Sequence, residues 1–289
     1  MSNKLKLILP KGHIQKGVME LLKRIGLEFP ATDRSYRPKS SDPEIEAKVL
    51  RPQNIPKLIE LGRHDCGFAG HDWVVEQGAD IIELLDLGLD PVRLVVAAPA
   101  SIAGSKSLGG KKLVVASEYE KLALGYILER QLNAVFVQTH GATEAMPPED
   151  ADLIIDNTAT GETLRRNNLV IMDEIMRSTT RFICNRESLE DPWKQKKMEE
   201  ISMLMKSALN ADRRVLLEMN VPGACFEKLV KDLPCMRAPT VAPLHNEDGF
   251  AVKVAVPAAD VPKLIPKLIE AGARDILEFK LEKLISNEE

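Results

Sequence analysis

Apolar residues recur along this chain in two rhythms: short unbroken runs, and stripes spaced three and four positions apart. Leu5 to Leu9 predicts a first strand that stops at Pro10-Lys-Gly-His13. Val18, Leu21, Leu22 and Ile25 then recur at helical spacing until Gly26 closes the helix. Lys11 and Gly12 thus sit after a strand and before a helix, where open α/β sheets bind ligands. Arg51 to Gly62 combines an Asn54 cap, an early proline, an apolar stripe and a terminal glycine, which predicts a short helix. Asp65 to Gly70 is a strand of small residues, and Asp72 is expected to cap the helix running to Gly78. Ile81 to Leu85 and Val92 to Ala98 supply two further strands.

The stretch from Pro99 to Gly110 is rich in Ala, Ser and Gly and predicts a crossing into a second α/β unit. That unit begins with a strand at Leu113 to Ala116 and a helix opened by Ser117-Glu-Tyr-Glu-Lys. A strand follows at Ala134 to Val137, then a turn at Gly141 to Glu144. Runs at Val170 to Met172 and Arg181 to Cys184 lead back to the first unit. Two such lobes imply a cleft between them, a usual place for small-molecule sites. The polar segment Thr32 to Pro43 carries Arg34, Arg37 and Lys39; it reads as a mobile loop, either a solvated basic one or a binding lid.

Beyond Leu189 the pattern changes. Trp193 to Leu209 predicts a long connecting helix, and the order after it is β-α-β-β-α-β, a ferredoxin-like domain. In its last helix Asp260 stands at the cap, Pro262 in the first turn and Gly272 at the end.

Composition narrows the partners. The chain has 289 residues, 44% apolar and 28% charged, with a formal charge of −4, which argues against a broad nucleic-acid surface. No apolar run approaches a membrane span, and the amino-terminal residues lack the apolar core of an export signal. Four scattered cysteines with no C-x-x-C read as free thiols of a reducing cytoplasm, and the histidines form no metal-ligand pair.

The chemistry concentrates at Ala151 to Leu164. Leu153-Ile154-Ile155 suits a buried parallel strand and ends at a carboxylate, Asp156. Thr158, Thr160 and Gly161 form a turn, and a helix opens at Thr163. A strand, a hydroxyl- and glycine-rich loop and a helix start make a phosphate cradle, with Asp156 placed to accept from sugar hydroxyls. A plain strand-to-helix turn with threonine caps has the same outline. The pattern D-x-x-x-T-G-x-T resembles the phosphoribosyl-pyrophosphate (PRPP) loop of phosphoribosyltransferases.

Nearly the whole chain is similar to the long form of ATP phosphoribosyltransferase, the enzyme that opens histidine biosynthesis. The resemblance rests on residues 9–12, 51–56, 65–72, 116–119, 141–144, 156–164 and 238–244, in that order and spacing. It implies an α/β fold with a two-lobed catalytic core like a periplasmic solute-binding protein and a C-terminal ferredoxin-like, ACT-like regulatory domain. Lobe I is expected over 1–98 and 180–210, lobe II with the PRPP loop over 99–179, and the regulatory domain over 211–289.

The implied reaction condenses ATP with PRPP, giving N1-(5-phosphoribosyl)-ATP and pyrophosphate in the cytoplasm, with Mg²⁺ required and histidine as inhibitor. Catalytic roles fall on Asp156, Lys11 and Glu144. PRPP contacts fall on Asp156, Thr158, Thr160, Gly161, Glu162 and Thr163, and ATP contacts on Lys11, Gly12, His13, Arg51, Gly70 and Tyr119. The histidine pocket falls on Asn220, Thr240 and Asp275, and the assembly implied is a dimer and a hexamer. His13 departs from the family pattern, which carries an arginine there, and Asn54 stands where an aspartate is common. Two rivals fit parts of the sequence: a two-lobed sensor with an amino-acid-binding tail, and a phosphoribosyltransferase for another base.

Overall fold

The computed structural model describes residues 3–30, 36–103, 112–231, 233 and 238–285. The chain divides into two compact units, Met1–Ser202 and Met203–Glu289. Arg34 of the basic loop and most of the predicted Pro99–Gly110 crossing lie outside the described residues.

The first unit holds two mixed five-stranded sheets. One is built from β1 (Leu5–Pro10), β2 (Ile45–Leu50), β3 (Cys66–Gly70), β4 (Ile82–Asp86) and β10 (Thr180–Cys184), in the order β2-β1-β3-β10-β4. Strands β1, β2 and β3 run parallel, while β10 is antiparallel to both its neighbours. The other comprises β5 (Val92–Pro99), β6 (Leu113–Ser117), β7 (Ala134–Gln138), β8 (Leu153–Thr158) and β9 (Leu169–Ser178), ordered β7-β6-β8-β5-β9. Here β6 is parallel to β7 and β8, and β5 is antiparallel to β8 and β9.

This pairing moves the expected lobe boundary. The sequence reading places Val92 to Ala98 in the first lobe, yet β5 lies inside the second sheet with β8 on one side and β9 on the other. Both edges of β5 are consumed there, so the crossing falls at residues 87–91 rather than after Pro99. The return runs through Thr179 alone, between β9 and β10.

Alternation sets the two faces of the second sheet. Leu153, Ile155, Leu94 and Val96 pack on one side around Tyr119, while Ile154, Val95, Ala97 and Leu164 pack on the other. Among the described residues, five helices flank these strands: α1 (Gln15–Arg24), α2 (Ile55–Glu60), α3 (His71–Gln77), α5 (Glu120–Glu129) and α6 (Glu162–Arg166); a single turn, α4 (Ala100–Ala103), follows β5. The expected Asn54 and Asp72 caps do not form. Asn54 makes no side-chain cap bond, and Gly70 occupies the cap position of α3 with extended backbone, leaving Asp72 inside the first turn.

The long helix α7 (Pro192–Asp212) contains the division between the units. The second unit contributes β11 (Arg214–Pro222), α8 (Gly223–Lys231), β12 (Thr240–Pro243), β13 (Gly249–Pro257), α9 (Val261–Glu270) and β14 (Arg274–Lys280). Its sheet order is β12-β13-β11-β14, all antiparallel, which is the ferredoxin-like arrangement. Val215, Leu217, Met219 and Val221 alternate inward against Leu229, Leu264 and Leu268 of the helices. Asp260 makes no side-chain cap bond to α9, contrary to the sequence reading.

Candidate active site

Parallel strands bring their carboxyl ends to one edge, and at that edge of the second sheet the chemistry-bearing residues collect. Glu118 follows β6, Glu144 lies in the short turn Thr143–Ala145 after β7, and Asp156 is near the end of β8. Asp156 is partly buried, and its carboxyl is pushed up to about 7, chiefly by burial and then by the charges of Glu144 and Glu118. The amide of Asn157 donates to Asp156 Oδ1 at 2.7 Å and opposes that rise.

Beyond Asp156 the chain turns tightly. Thr158 is buried, and its Oγ1 accepts from the Gly161 amide at 2.9 Å, so this hydroxyl braces the loop from within. Gly161 has φ +76°, a left-handed conformation that a β-carbon disfavours, which is why glycine stands there. The Thr160 and Thr163 side chains belong to exposed residues at the mouth, and Arg165 donates back to the Thr160 carbonyl at 3.3 Å. Glu162 pairs with Arg166 four residues on, along the surface of α6. That helix is only five residues long, so its dipole adds less than the sequence suggested.

On the first sheet, Lys11 follows β1 and its ammonium lies 5.3 Å from the centroid of the exposed Tyr36 ring. Gly12 adopts φ +96° and faces open space, while His13 and Arg51 are exposed beside it in the chain and at the end of β2. These four are free to meet a ligand.

Gly70 and Tyr119 are different, and here the structure corrects the sequence reading. Tyr119 is fully buried; its ring stacks on Trp73 with centroids 4.4 Å apart, so it does not line an open cleft. Its hydroxyl donates to Asp72 Oδ2 at 2.6 Å and accepts from Asn157 Nδ2 at 2.8 Å. Burial first, and then the Asp72 carboxylate, holds the phenol well above its ordinary range, so it remains a donor. Asp72 Oδ1 accepts from Ser178 Oγ at 2.6 Å. A β-carbon on Gly70 would lie 2.2 Å from Asp72 Oδ1, so that glycine makes room for a carboxylate rather than for a nucleotide. Asn157, Ser178 and Glu118 were missed by sequence reasoning; only their closeness to Asp156 and Tyr119 in the chain hinted at Asn157 and Glu118.

In the second unit Asn220 and Asp275 come together, with Asn220 Nδ2 donating to Asp275 Oδ2 at 3.0 Å. Asp275 has φ +50° at a register shift between β11 and β14. Thr240 lies on the edge strand β12 opposite Lys253, so it shares the outer face of the sheet with Asn220 but stands two strands away.

Residues 51–207 match the family model described as ATP phosphoribosyltransferase, and residues 211–283 match that of the HisG C-terminal domain. The chain belongs to the ATP phosphoribosyltransferase family. A relative named ATP phosphoribosyltransferase from Chlorobium chlorochromatii (strain CaD3) is 41% identical over 295 residues, covering 99% of this chain and all of the relative. One of the same name from Pelotomaculum thermopropionicum (strain DSM 13744 / JCM 10971 / SI) is 39% identical over 289 residues, covering 98% of this chain and 99% of the relative. Among solved structures, a chain of the ATP phosphoribosyl transferase (HisG:HisZ) complex from Thermotoga maritima superposes with a TM-score of 0.62 at 26% identity. That match covers 70% of this chain and 98% of the other, so part of the present ATP phosphoribosyltransferase family member has no counterpart there.

Proposed function

We propose that the protein condenses ATP with PRPP to N1-(5-phosphoribosyl)-ATP and pyrophosphate, the first step of histidine biosynthesis. The observation that carries this is Asp156 at the end of β8 followed directly by the Thr158–Thr163 turn, in a chain of this family. Adenine N1 attacks the anomeric carbon of PRPP. The bond from that carbon to pyrophosphate breaks, and pyrophosphate leaves with the electron pair. Positive charge grows on the ribose ring and negative charge on the leaving group, so the protein's task is alignment and charge stabilisation.

Asp156 in its ionised form accepts from the ribose hydroxyls. Thr160 and Thr163, on the turn that carries Gly161 and Glu162, hold the 5′-phosphate, with Thr158 bracing the turn from inside through the Gly161 amide. Lys11, with Gly12, His13 and Arg51 nearby, meets the ATP phosphates, and Glu144 lines the acidic side. Gly70 and Tyr119 act behind this layer.

The carboxylates Asp156, Glu144 and Glu118 are hard oxygen donors of the kind Mg²⁺ prefers. Among the described residues no group of three or more His, Cys, Asp or Glu stands ready to hold a metal alone. This fits Mg²⁺ shared between one or two carboxylates and substrate phosphates. When bound, Mg²⁺ supplies charge neutralisation of the pyrophosphate.

The two five-stranded sheets form the catalytic lobes, in the manner of a periplasmic solute-binding protein, and the second unit is an ACT-like histidine sensor. Asn220, Asp275 and Thr240 offer acceptors and a hydroxyl to the ligand's ammonium and carboxylate. The outer sheet face, with Leu277 and Phe279 exposed, suits contact between copies in a dimer and hexamer. Free thiols at Cys66, Cys184 and Cys225 fit a reducing cytoplasm, and among the described residues no helix is long and apolar enough to cross a membrane.

Mixing ATP and PRPP with Mg²⁺ while following absorbance and pyrophosphate release tests the proposal. Turnover with ATP and none with free nucleobases is expected. Binding of both compounds without turnover would leave a sensor, and turnover of another base would make this a different phosphoribosyltransferase.

A further inference from the structure

The buried residues behind the site form a continuous chain of hydrogen bonds. Ser178, at the end of β9, donates to Asp72 Oδ1 at 2.6 Å and accepts from the Asp72 amide at 3.0 Å. Asp72 Oδ2 accepts from Tyr119 Oη at 2.6 Å, and Tyr119 Oη accepts from Asn157 Nδ2 at 2.8 Å. Asp72 belongs to α3, which follows β3 of the first sheet, whereas Asn157 and Ser178 lie on β8 and β9 of the second sheet and Tyr119 follows its β6. The chain therefore ties the first sheet's helix to the strand that ends in the substrate loop.

Strand alternation gives the link its direction. Leu153 and Ile155 face the Tyr119 side of the sheet and Ile154 the opposite side, so Asn157 and Asp156 point to opposite faces. Pinning Asn157 on the inner side fixes the roll of β8, and with it the aim of the Asp156 carboxylate. Tyr119 is itself immobilised by the Trp73 stack and by its amide, which donates to Ser117 Oγ at 2.9 Å. Ser117 Oγ in turn donates to the Ile155 carbonyl of β8 at 2.6 Å. Two separate ties from the Tyr119 segment thus end on the same strand.

We infer that Tyr119 is a positioning residue for PRPP: through Asn157 it sets where Asp156 meets the ribose, and Asp72 of α3, itself held by Ser178 of β9, fixes the Tyr119 hydroxyl. The inference rests on the functional reading above. It differs from a nucleotide-binding role for Tyr119, because the hydroxyl is already committed on both sides and the ring is covered.

Steady-state kinetics of Tyr119→Phe, Asn157→Ala and the double variant test it. The Phe ring keeps the stack on Trp73 and loses only the hydroxyl. Each single variant should raise KM for PRPP by roughly fivefold to tenfold, because each breaks the Tyr119–Asn157 hydrogen bond, and leave KM for ATP within about twofold; Tyr119→Phe also removes the bond to Asp72. The double variant should lose no more than Asn157→Ala alone, because both act through one link. Losses that multiply, a rise confined to ATP, or an unchanged KM for PRPP in folded Tyr119→Phe would each overturn the inference. If Tyr119→Phe does not fold, Ser178→Ala, which removes one donor to Asp72, takes its place with the same PRPP-only rise expected. Wild-type protein that does not join ATP to PRPP would instead overturn the functional reading, and this inference with it.

Discussion

Replacing Asp156 by asparagine should stabilise the first unit while abolishing its use of PRPP. The carboxyl's ordinary value is 3.8 and its place in the fold raises it to about 7. Below 3.8 the folded and unfolded chains both carry the proton, so the group adds nothing to the pH dependence. Between 3.8 and about 7 the folded state holds a proton that the unfolded state has released, so stability falls as pH rises. Above 7 both are ionised and the full cost is present. At about 1.4 kcal/mol per unit, a shift of roughly three units costs on the order of 4 kcal/mol. The side-chain amide of the Asp156→Asn variant cannot ionise and escapes that cost. Urea unfolding at several pH values measures the difference. Trp73 and Trp193, the only tryptophans, both lie in Met1–Ser202, so their fluorescence reports that unit. The variant's advantage should grow from near zero at pH 4 to a few kcal/mol at pH 8. An advantage independent of pH, or largest in acid, would refute the reasoning. The same ionisation predicts that wild-type kcat/KM for PRPP rises through pH 7, since only the carboxylate accepts freely from ribose hydroxyls. Stability is given up here for function.

Two further outcomes follow from the geometry. Gly70→Ala has ordinary backbone angles but drives a β-carbon to 2.2 Å from Asp72 Oδ1, a carboxylate held by Ser178 and Tyr119. It should lower stability in urea by about 1–3 kcal/mol and raise KM for PRPP; a loss under about 0.5 kcal/mol would contradict the crowding. Calorimetric titration should show histidine binding to the second unit, with Asp275→Asn weakening it by roughly tenfold to hundredfold and Thr240→Ala by less. No heat at millimolar histidine would make the unit an assembly module.

Much of this was legible in the chain because strands and helices advertise themselves by period. The β-α-β-β-α-β order of the second unit and the strand-to-turn step at Asp156 were both open to reading. Pairing was not. Nothing local in Val92 to Pro99 says that its two partners are β8 and β9, so the lobe crossing at residues 87–91 is invisible in the sequence. Caps mislead for a similar reason: Asp260 stands at the cap of α9 without making a cap bond, and Asp72, inside the first turn of α3, has partners over a hundred and under fifty residues away in Ser178 and Tyr119. Tyr119 reads from the sequence as an ATP contact because the family pattern fixes its position in the chain and not its depth. Asn157 and Ser178 are ordinary polar residues whose meaning is entirely in what they touch.

The claim at the centre is that the Asp156–Thr163 turn holds PRPP and not ATP. Calorimetric titration of each substrate into wild type and Thr163→Ala tests it most directly. Losing one hydrogen bond to a charged phosphate costs about 1.5–3 kcal/mol, so Kd for PRPP should rise tenfold to hundredfold while Kd for ATP stays within about twofold. Equal losses for both ligands in a normally folded variant, or a loss confined to ATP, would contradict the assignment.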